Sequence, residues 1–401
     1  MRVCLWHGRE KMMKRWLALI CAVVLCLTGL SLAEEAETGE NAELDELFGK
    51  IFKSYKVTGG ELVVAKDGEI VYQRNYGYAY TLYDKERVDD ETYFKIASVT
   101  KFVTGIHVMQ LVERGLLDLD TDISEYLGYP VVNFYYPKVP ITLRTLMSHT
   151  SSLSTKGGYN KVSNTLSQLI AKSSKKKNNF MKRAPGSAYE YSNFGAGIMG
   201  SLIECVTGKN LNDSIRESLF EPLGIDASFA PTLLEKPEKI SSIHNSKGQP
   251  KLSRSKLLKN EWDPSVNPDK HYRITVGDLW LRGRDLCRLG MLMCNGGELD
   301  GVRILSEETV AEMMSSQLGK GVVTCDSPYG LCVNRVDNLM EDRMVFGHQG
   351  MTDYVICNVY WDPETDFVFA MVTNGADNRM NDHIGRLSRK MYEAAWKAFA
   401  E

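Results

Sequence analysis

The chain has 401 residues, 43 % of them hydrophobic and 25 % charged, which is the balance of a globular protein with a sizeable core. A net charge of −3 excludes the broad basic face that nucleic-acid binding requires. The local basic run Lys175–Lys177 sits among Ser and Asn and reads as a solvated loop.

The first 33 residues differ from the rest. Lys11, Lys14 and Arg15 precede an apolar run from Trp16 to Leu30, and Ser31-Leu32-Ala33 leads into Glu34-Glu35. A positive start, a short apolar stretch and small residues make a secretory signal over 1–33. The run is shorter than the roughly 20 residues that cross a bilayer. The expected location is therefore secreted or at the cell surface, with membrane attachment only if the segment stays uncleaved. Met12 or Met13 serves equally well as the start. Of nine cysteines, Cys4, Cys21 and Cys26 fall in this leader. The remaining six (Cys205, Cys287, Cys294, Cys325, Cys332 and Cys357) match no zinc spacing. Export permits disulfides, and one pair among Cys325, Cys332 and Cys357 is expected, its connectivity open. Cys205 and Cys287 fall among apolar residues of predicted helices and read as core.

In chain order, Ala42–Tyr55 reads as an amphipathic helix. Glu61–Ala65 and Ile70–Arg74 flank Asp67-Gly68, a strong hairpin signal. Ser98–Arg114 has helical periodicity and stops at Gly115. Helical segments follow at Leu143–Ser148, Ser163–Lys172, Phe194–Thr207 and Leu211–Leu219. Glu235–Lys270 is rich in Lys, Ser, Asn and Pro and predicts a surface excursion with little core. Gly283–Asn295 is helical again. Strands are predicted at Arg343–Gly347, Tyr354–Trp361 and Phe367–Thr373, the last two joined by the turn Asp362–Asp366. Ile384–Ala400 closes the chain as a helix.

A lone hairpin is not stable in water. The two distant β segments are therefore expected to share one antiparallel sheet. The fold class is α+β: an antiparallel sheet flanked by helices, with an inserted all-helical lobe. One domain would span 42–401, its α/β part being 42–132 plus 271–401, and its lobe 133–270.

Three short patterns carry chemistry. In Ser98-Val99-Thr100-Lys101, positions i and i+3 lie on one helix face, so the amine can reach the hydroxyl. A serine needs a neighbour to take its proton, and a desolvated lysine can do so. The helix N-terminus would also present the Ser98 N–H to a developing oxyanion. Spacing alone equally allows Ser98 as a helix cap and Lys101 as a surface charge. Tyr191-Ser192-Asn193 follows the turn Pro185-Gly186. A phenolate beside a lysine ammonium can act as a base, and an Asn amide can hold both a substrate carbonyl and the lysine. A core Tyr and a capping Asn explain the same spacing. His348-Gln349-Gly350 directly follows a predicted strand. His348 would bind a substrate carboxylate, Gly350 would let substrate backbone approach, and the Met351 N–H would be a second oxyanion donor.

In this order, the three elements resemble the Ser-x-x-Lys, Tyr-x-Asn and Lys-Thr-Gly signature of serine β-lactamases and penicillin-binding proteins, in its class C form. Surrounding strings resemble that superfamily too: Phe94–Lys101, Leu146–Leu153, Pro185–Gly195, Leu219–Gly224, Arg284-Asp285-Leu286 with Asn295-Gly296-Gly297, and Thr373-Asn374. The similarity runs from about Ala42 to the C-terminus.

The resemblance implies an acyl-enzyme mechanism. Ser98 would be the nucleophile, Lys101 and Tyr191 would share the base role, and Asn193 would position Lys101 and substrate. His348 and Gly350 would line the far wall, with oxyanion donors from the Ser98 and Met351 backbones. It implies no metal and no other cofactor. His348 stands where β-lactamases carry Lys, and relatives that cleave D-amino-acid peptides or simple esters resemble that variant more. The expected partner is a small-molecule or peptide substrate, with cell-wall D-peptide ends the natural candidate. A β-lactamase proper and a non-turnover penicillin-binding sensor or scaffold are the alternatives. His149 and His107 read as structural.

Overall fold

The computed structural model describes residues 41–82, 84–171, 178–318, 329–352, 354–377, 380–381 and 384–400. The leader, the run Lys175–Lys177 and Cys325 lie outside the described residues. The chain divides into two units, up to Lys50 and from Ile51. What is described of the first is the opening of helix α1 (Ala42–Ser54), with Glu43 and Asp45 in its first turn where the helix dipole favours anions.

The second unit is built on a seven-stranded sheet. β1 (Gly59–Lys66) and β2 (Glu69–Tyr80) form the predicted hairpin. Both loop residues, Asp67 and Gly68, have positive φ, which matches the right-handed twist of the flanking strands. β3 (Glu86–Arg87) pairs with β2 at one edge. β4 (Asn334–Val336), β5 (Val345–Thr352), β6 (Val355–Asp362) and β7 (Phe367–Asn374) come from the far end of the chain. The spatial order is β4-β5-β6-β7-β1-β2-β3. β1 and β7 join antiparallel, from Gly59 opposite Asn374 to Lys66 opposite Phe367. The two distant β segments thus share one sheet, because neither closes a core alone.

Every residue of β6 and β7 is buried, so the sheet is covered on both faces. Helix α4 (Gly283–Cys294) covers one face: at Gly290 an added Cβ would lie 2.6 Å from Val368 Cγ1 and 2.8 Å from Val359 Cγ2. Glycine permits that close approach. Helix α5 (Arg386–Phe399) covers the other, setting Tyr392 and Trp396 edge-on to Phe367 and Tyr392 edge-on to Phe369 and Tyr360. Helix α2 (Val99–Glu113) packs on the α4 side, with Phe102 5.2 Å from Trp361. It also meets helix α3 (Asn193–Thr207), the centre of the mostly helical middle segment.

Several boundaries differ from the sequence reading. Ser163–Lys172 shortens to a helix over Leu166–Ile170, started by a Thr165/Gln168 capping box. Leu211–Leu219 is helical only to Ile215, then passes through a π turn to Phe220. The middle segment is not purely helical, since Ile243–His244 pairs with Pro250–Leu252. The little core that Glu235–Lys270 has is well placed: Ile240 and Leu257 pack with Tyr93, Leu234 and Trp280, and His244 hydrogen-bonds Asn374 at the end of β7. Its polar composition hid a few well-placed apolar residues. β5 continues through His348 and Gly350 instead of ending before them, and α5 starts at Arg386 because Ile384–Gly385 is extended. Cys332 and Cys357 are free thiols, so no disulfide joins them. Cys205 is only partly buried, whereas Cys287 is core. Among the described residues, no helix is long and apolar enough to cross a membrane.

One buried carboxyl group ties β1 to α4. Glu61 on β1 has no exposed surface. Its carboxylate accepts from the Gly283 N–H (2.7 Å) and Arg284 N–H (3.1 Å) at the α4 N-terminus, and from Gln73 Nε2 (3.1 Å). Burial pushes its pKa up to about 8, against the opposing pull of the two backbone donors. A carboxyl group raised in the folded state stabilises below its unfolded pKa, and that stability is lost as pH rises through 8. Glu61→Gln removes this dependence. Thermal melts at pH 5, 7 and 9 should show the variant gaining on wild type by about 2–4 kcal/mol across the range.

Candidate active site

Ser98 occupies the N-cap of α2, just after Ala97, whose φ of 46° is unfavourable for a residue with a Cβ. Its hydroxyl makes no capping bond to the helix, which leaves it available. α2 is buried along nearly its whole length, so Lys101 cannot reach water and has no exposed surface. The Lys101 Nζ lies 3.1 Å from Ser98 Oγ and donates to the Val276 carbonyl at 2.6 Å. Desolvation lowers its pKa to about 7, although the Asp278 carboxylate pulls it upward. At neutral pH much of Lys101 is uncharged and able to accept the serine proton.

Tyr191 joins the pair. Its phenol hydrogen-bonds the Ser98 side chain, and Lys101 Nζ sits 5.3 Å from its ring centre. The three groups drawn from distant stretches of chain therefore meet. The phenolate expected from the sequence does not form readily: burial of the hydroxyl raises the Tyr191 pKa above its ordinary value, and the bond to Ser98 only partly offsets this. The ring still borders open space, with 39 % of the residue exposed.

Asn193 begins α3, but its amide turns to the Tyr159 phenol, while Lys101 takes Ser98 and Val276 as partners. The Asn193 Oδ1 is buried without a hydrogen bond. The expected Asn193–Lys101 link is replaced by a backbone carbonyl, which carries no side-chain signature in sequence.

His348 departs further from expectation. It is 1 % exposed, and both ring nitrogens are engaged. Nδ1 lies 2.8 Å from the Gln349 carbonyl, which can only accept, so Nδ1 carries the proton. Nε2 then accepts from the Tyr329 hydroxyl at 3.0 Å. Burial, with Lys101 nearby, pushes its pKa down to about 3. A neutral, fully bonded imidazole offers no grip for a substrate carboxylate. It is a wall residue.

Gly350 fits tightly. An added Cβ would lie 2.4 Å from the Ile96 carbonyl oxygen, 2.6 Å from Cys357 Sγ and 2.9 Å from the Ser98 amide nitrogen. What approaches Gly350 is thus the protein's own nucleophile segment rather than substrate backbone. Cys357 Sγ, 2.6 Å from the Ile96 carbonyl, ties β6 to the same segment. This contact sets the backbone of Gly350 beside the Ser98 amide.

Sequence reasoning missed part of the second layer. His149, expected to be structural, holds the turn that carries Tyr191: its carbonyl accepts from Glu190 N–H (2.9 Å) and its Nδ1 accepts from Ser192 N–H (3.2 Å). Its ring lies 4.2 Å from Tyr191 and 4.9 Å from Tyr329. Burial, with the Lys101 amine nearby, holds its pKa well below the usual imidazole value. Only its place in the string Leu146–Leu153 could have flagged it. His107, by contrast, is a satisfied core residue bonded to Ser214 and Ser218. Among the described residues, no group of three or more His, Cys, Asp or Glu could hold a metal.

With this geometry established, comparison with known proteins places the molecule. A model of the Beta-lactamase family matches residues 44–390. The chain belongs to that family. Penicillin-binding protein 4 of Amycolatopsis lactamdurans is 27 % identical over 358 residues, covering 84 % of this chain and 86 % of its own length. Protein flp of Staphylococcus aureus is 24 % identical over 244 residues, which is 60 % of this chain and 48 % of flp, so this chain spans about half of that relative. The structure of an octameric penicillin-binding protein homologue from Pyrococcus abyssi superimposes with a TM-score of 0.67 at 21 % identity, covering 89 % of this chain and 77 % of that one, a likeness of fold.

Because Gly350 touches the Ser98 segment directly, Gly350→Ala should separate β5 from Ser98. Hydrolysis of a test ester is expected to fall about a hundredfold or more, with a Tm lowered by several degrees in a thermal melt.

Proposed function

We propose that this protein is an exported serine hydrolase that works through a Ser98 acyl-enzyme on an amide, a D-amino-acid peptide or an ester. The observation that carries this reading is the 3.1 Å contact between Ser98 Oγ and a wholly buried Lys101 whose pKa is lowered to about 7. Neutral Lys101 takes the Ser98 proton as Oγ attacks the carbonyl carbon. The Ser98 and Met351 backbone amides stabilise the oxyanion. Tyr191, neutral and hydrogen-bonded to Ser98, passes a proton to the leaving group and recovers one through Lys101. Water then releases the acyl group, with Lys101 again as base. Lys101 rather than Tyr191 is the base, since desolvation lowers the amine and raises the phenol.

A cell-wall peptide end or a simple ester is favoured over a penicillin. His348 stands at the β-lactamase lysine position as a neutral, buried ring. Export is inferred from the charge and apolar pattern of residues 11–33.

Intact-mass detection of an acyl adduct on Ser98, across β-lactams, D-Ala-D-Ala peptides and short esters, tests the assignment. Turnover with transient acylation supports it. A fluorescent penicillin that stays attached indicates a sensor, and rapid release of hydrolysed penicillin indicates a β-lactamase. Ser98→Ala should lower kcat/KM by at least about a thousandfold with the Tm preserved. The pH profile provides a second check. Only neutral Lys101 is competent, so kcat/KM should climb as pH rises through about 7 and then level off. Neither His149 nor His348 should contribute a limb between pH 5 and 8, since both are held neutral there.

A further inference from the structure

A cavity of about 840 Å³ adjoins the catalytic cluster and is not used by the mechanism above. Two of its walls belong to groups already tied to the site. Val276 supplies the carbonyl that holds Lys101, and Tyr159 supplies the phenol that bonds Asn193. Phe229, Trp262 and Trp280 add an aromatic lining.

The charged groups facing this space are unequal. Lys95 is paired with Asp278 at 2.5 Å. Lys259, Glu261, Asp263 and Lys270 are exposed residues of mixed sign. Arg273 is partly buried, and no ion pair to it is recorded among the described residues. Its Nε is buried without a hydrogen-bond partner. A guanidinium N–H withdrawn from water and left unbonded costs free energy that a bound anion would restore. Arg273 also begins the turn that ends at Val276, whose N–H bonds the Arg273 carbonyl. One short turn therefore links the carbonyl that holds Lys101 to the cation of the neighbouring cavity.

We infer that Arg273 binds an anionic group of the substrate, so that the preferred substrate carries a carboxylate together with an apolar or aromatic body that fills the cavity. The inference rests on the hydrolase reading above. A carboxylate engages Nε–H and one Nη–H of a guanidinium side by side, a geometry a lysine cannot reproduce. It supplies the anion recognition that a neutral His348 cannot.

The test compares two p-nitrophenyl esters of similar acyl length, neutral butyrate and anionic hemiglutarate, in wild type, Arg273→Gln and Arg273→Lys. The ratio of kcat/KM, anionic over neutral, should fall by about tenfold to a hundredfold in Arg273→Gln, mainly through KM, and by less in Arg273→Lys. A melting curve confirms that each variant is folded. A ratio unchanged in both variants, or a wild type that disfavours the anionic ester, overturns the inference and leaves the hydrolase reading standing. Turnover that survives Ser98→Ala overturns the hydrolase reading, and this inference with it.

Discussion

An ammonium group placed out of reach of water must either find a counter-charge or give up its proton. Lys101 has no exposed surface, and its direct partners are a serine hydroxyl and a backbone carbonyl. The groups around it are kept neutral as well. Burial holds the His149 and His348 imidazoles below their usual range and pushes the Cys332 thiol up to about 12. Such a setting makes the lysine a base near neutral pH, and the chemistry proposed for Ser98 depends on it.

Holding that amine buried requires the rest of the architecture. α2 must be apolar on nearly all sides, which it achieves by lying between the sheet and α3. The sheet must close around it from both ends of the chain, which the β1–β7 pairing does. β5 must then run against the Ser98 segment closely enough that only glycine fits at position 350. The thiol of Cys357, bonded to the Ile96 carbonyl, fills the contact between β6 and the turn before Ser98, so it is engaged there rather than in a disulfide.

The places where sequence and structure part have a common cause. Arg343–Gly347 reads as a whole strand because apolar alternation stops there, yet β5 continues through polar Gln349 and through His348, whose burial is imposed by its neighbours. Glu235–Lys270 reads as solvent-facing by composition, yet Ile240, His244 and Leu257 anchor it. The Val276 carbonyl that holds Lys101 is invisible to any motif, since every residue type has one. Tyr329, which bonds His348, lies 19 residues before it and in no recognisable string.

By itself the sequence determined the elements and singled out the side chains that meet at the candidate site. Hydrophobic periodicity located α2, α3 and the strands, Asp67-Gly68 set the hairpin, and the i, i+3 spacing put Lys101 on the face of Ser98. Those are local matters, decided by backbone geometry over a few residues. Tertiary structure alone decided the protonation of the site. Whether Lys101 is a base, whether Tyr191 is a phenol and whether His348 can hold an anion all depend on desolvation, and desolvation is a property of what packs around a group from elsewhere in the chain.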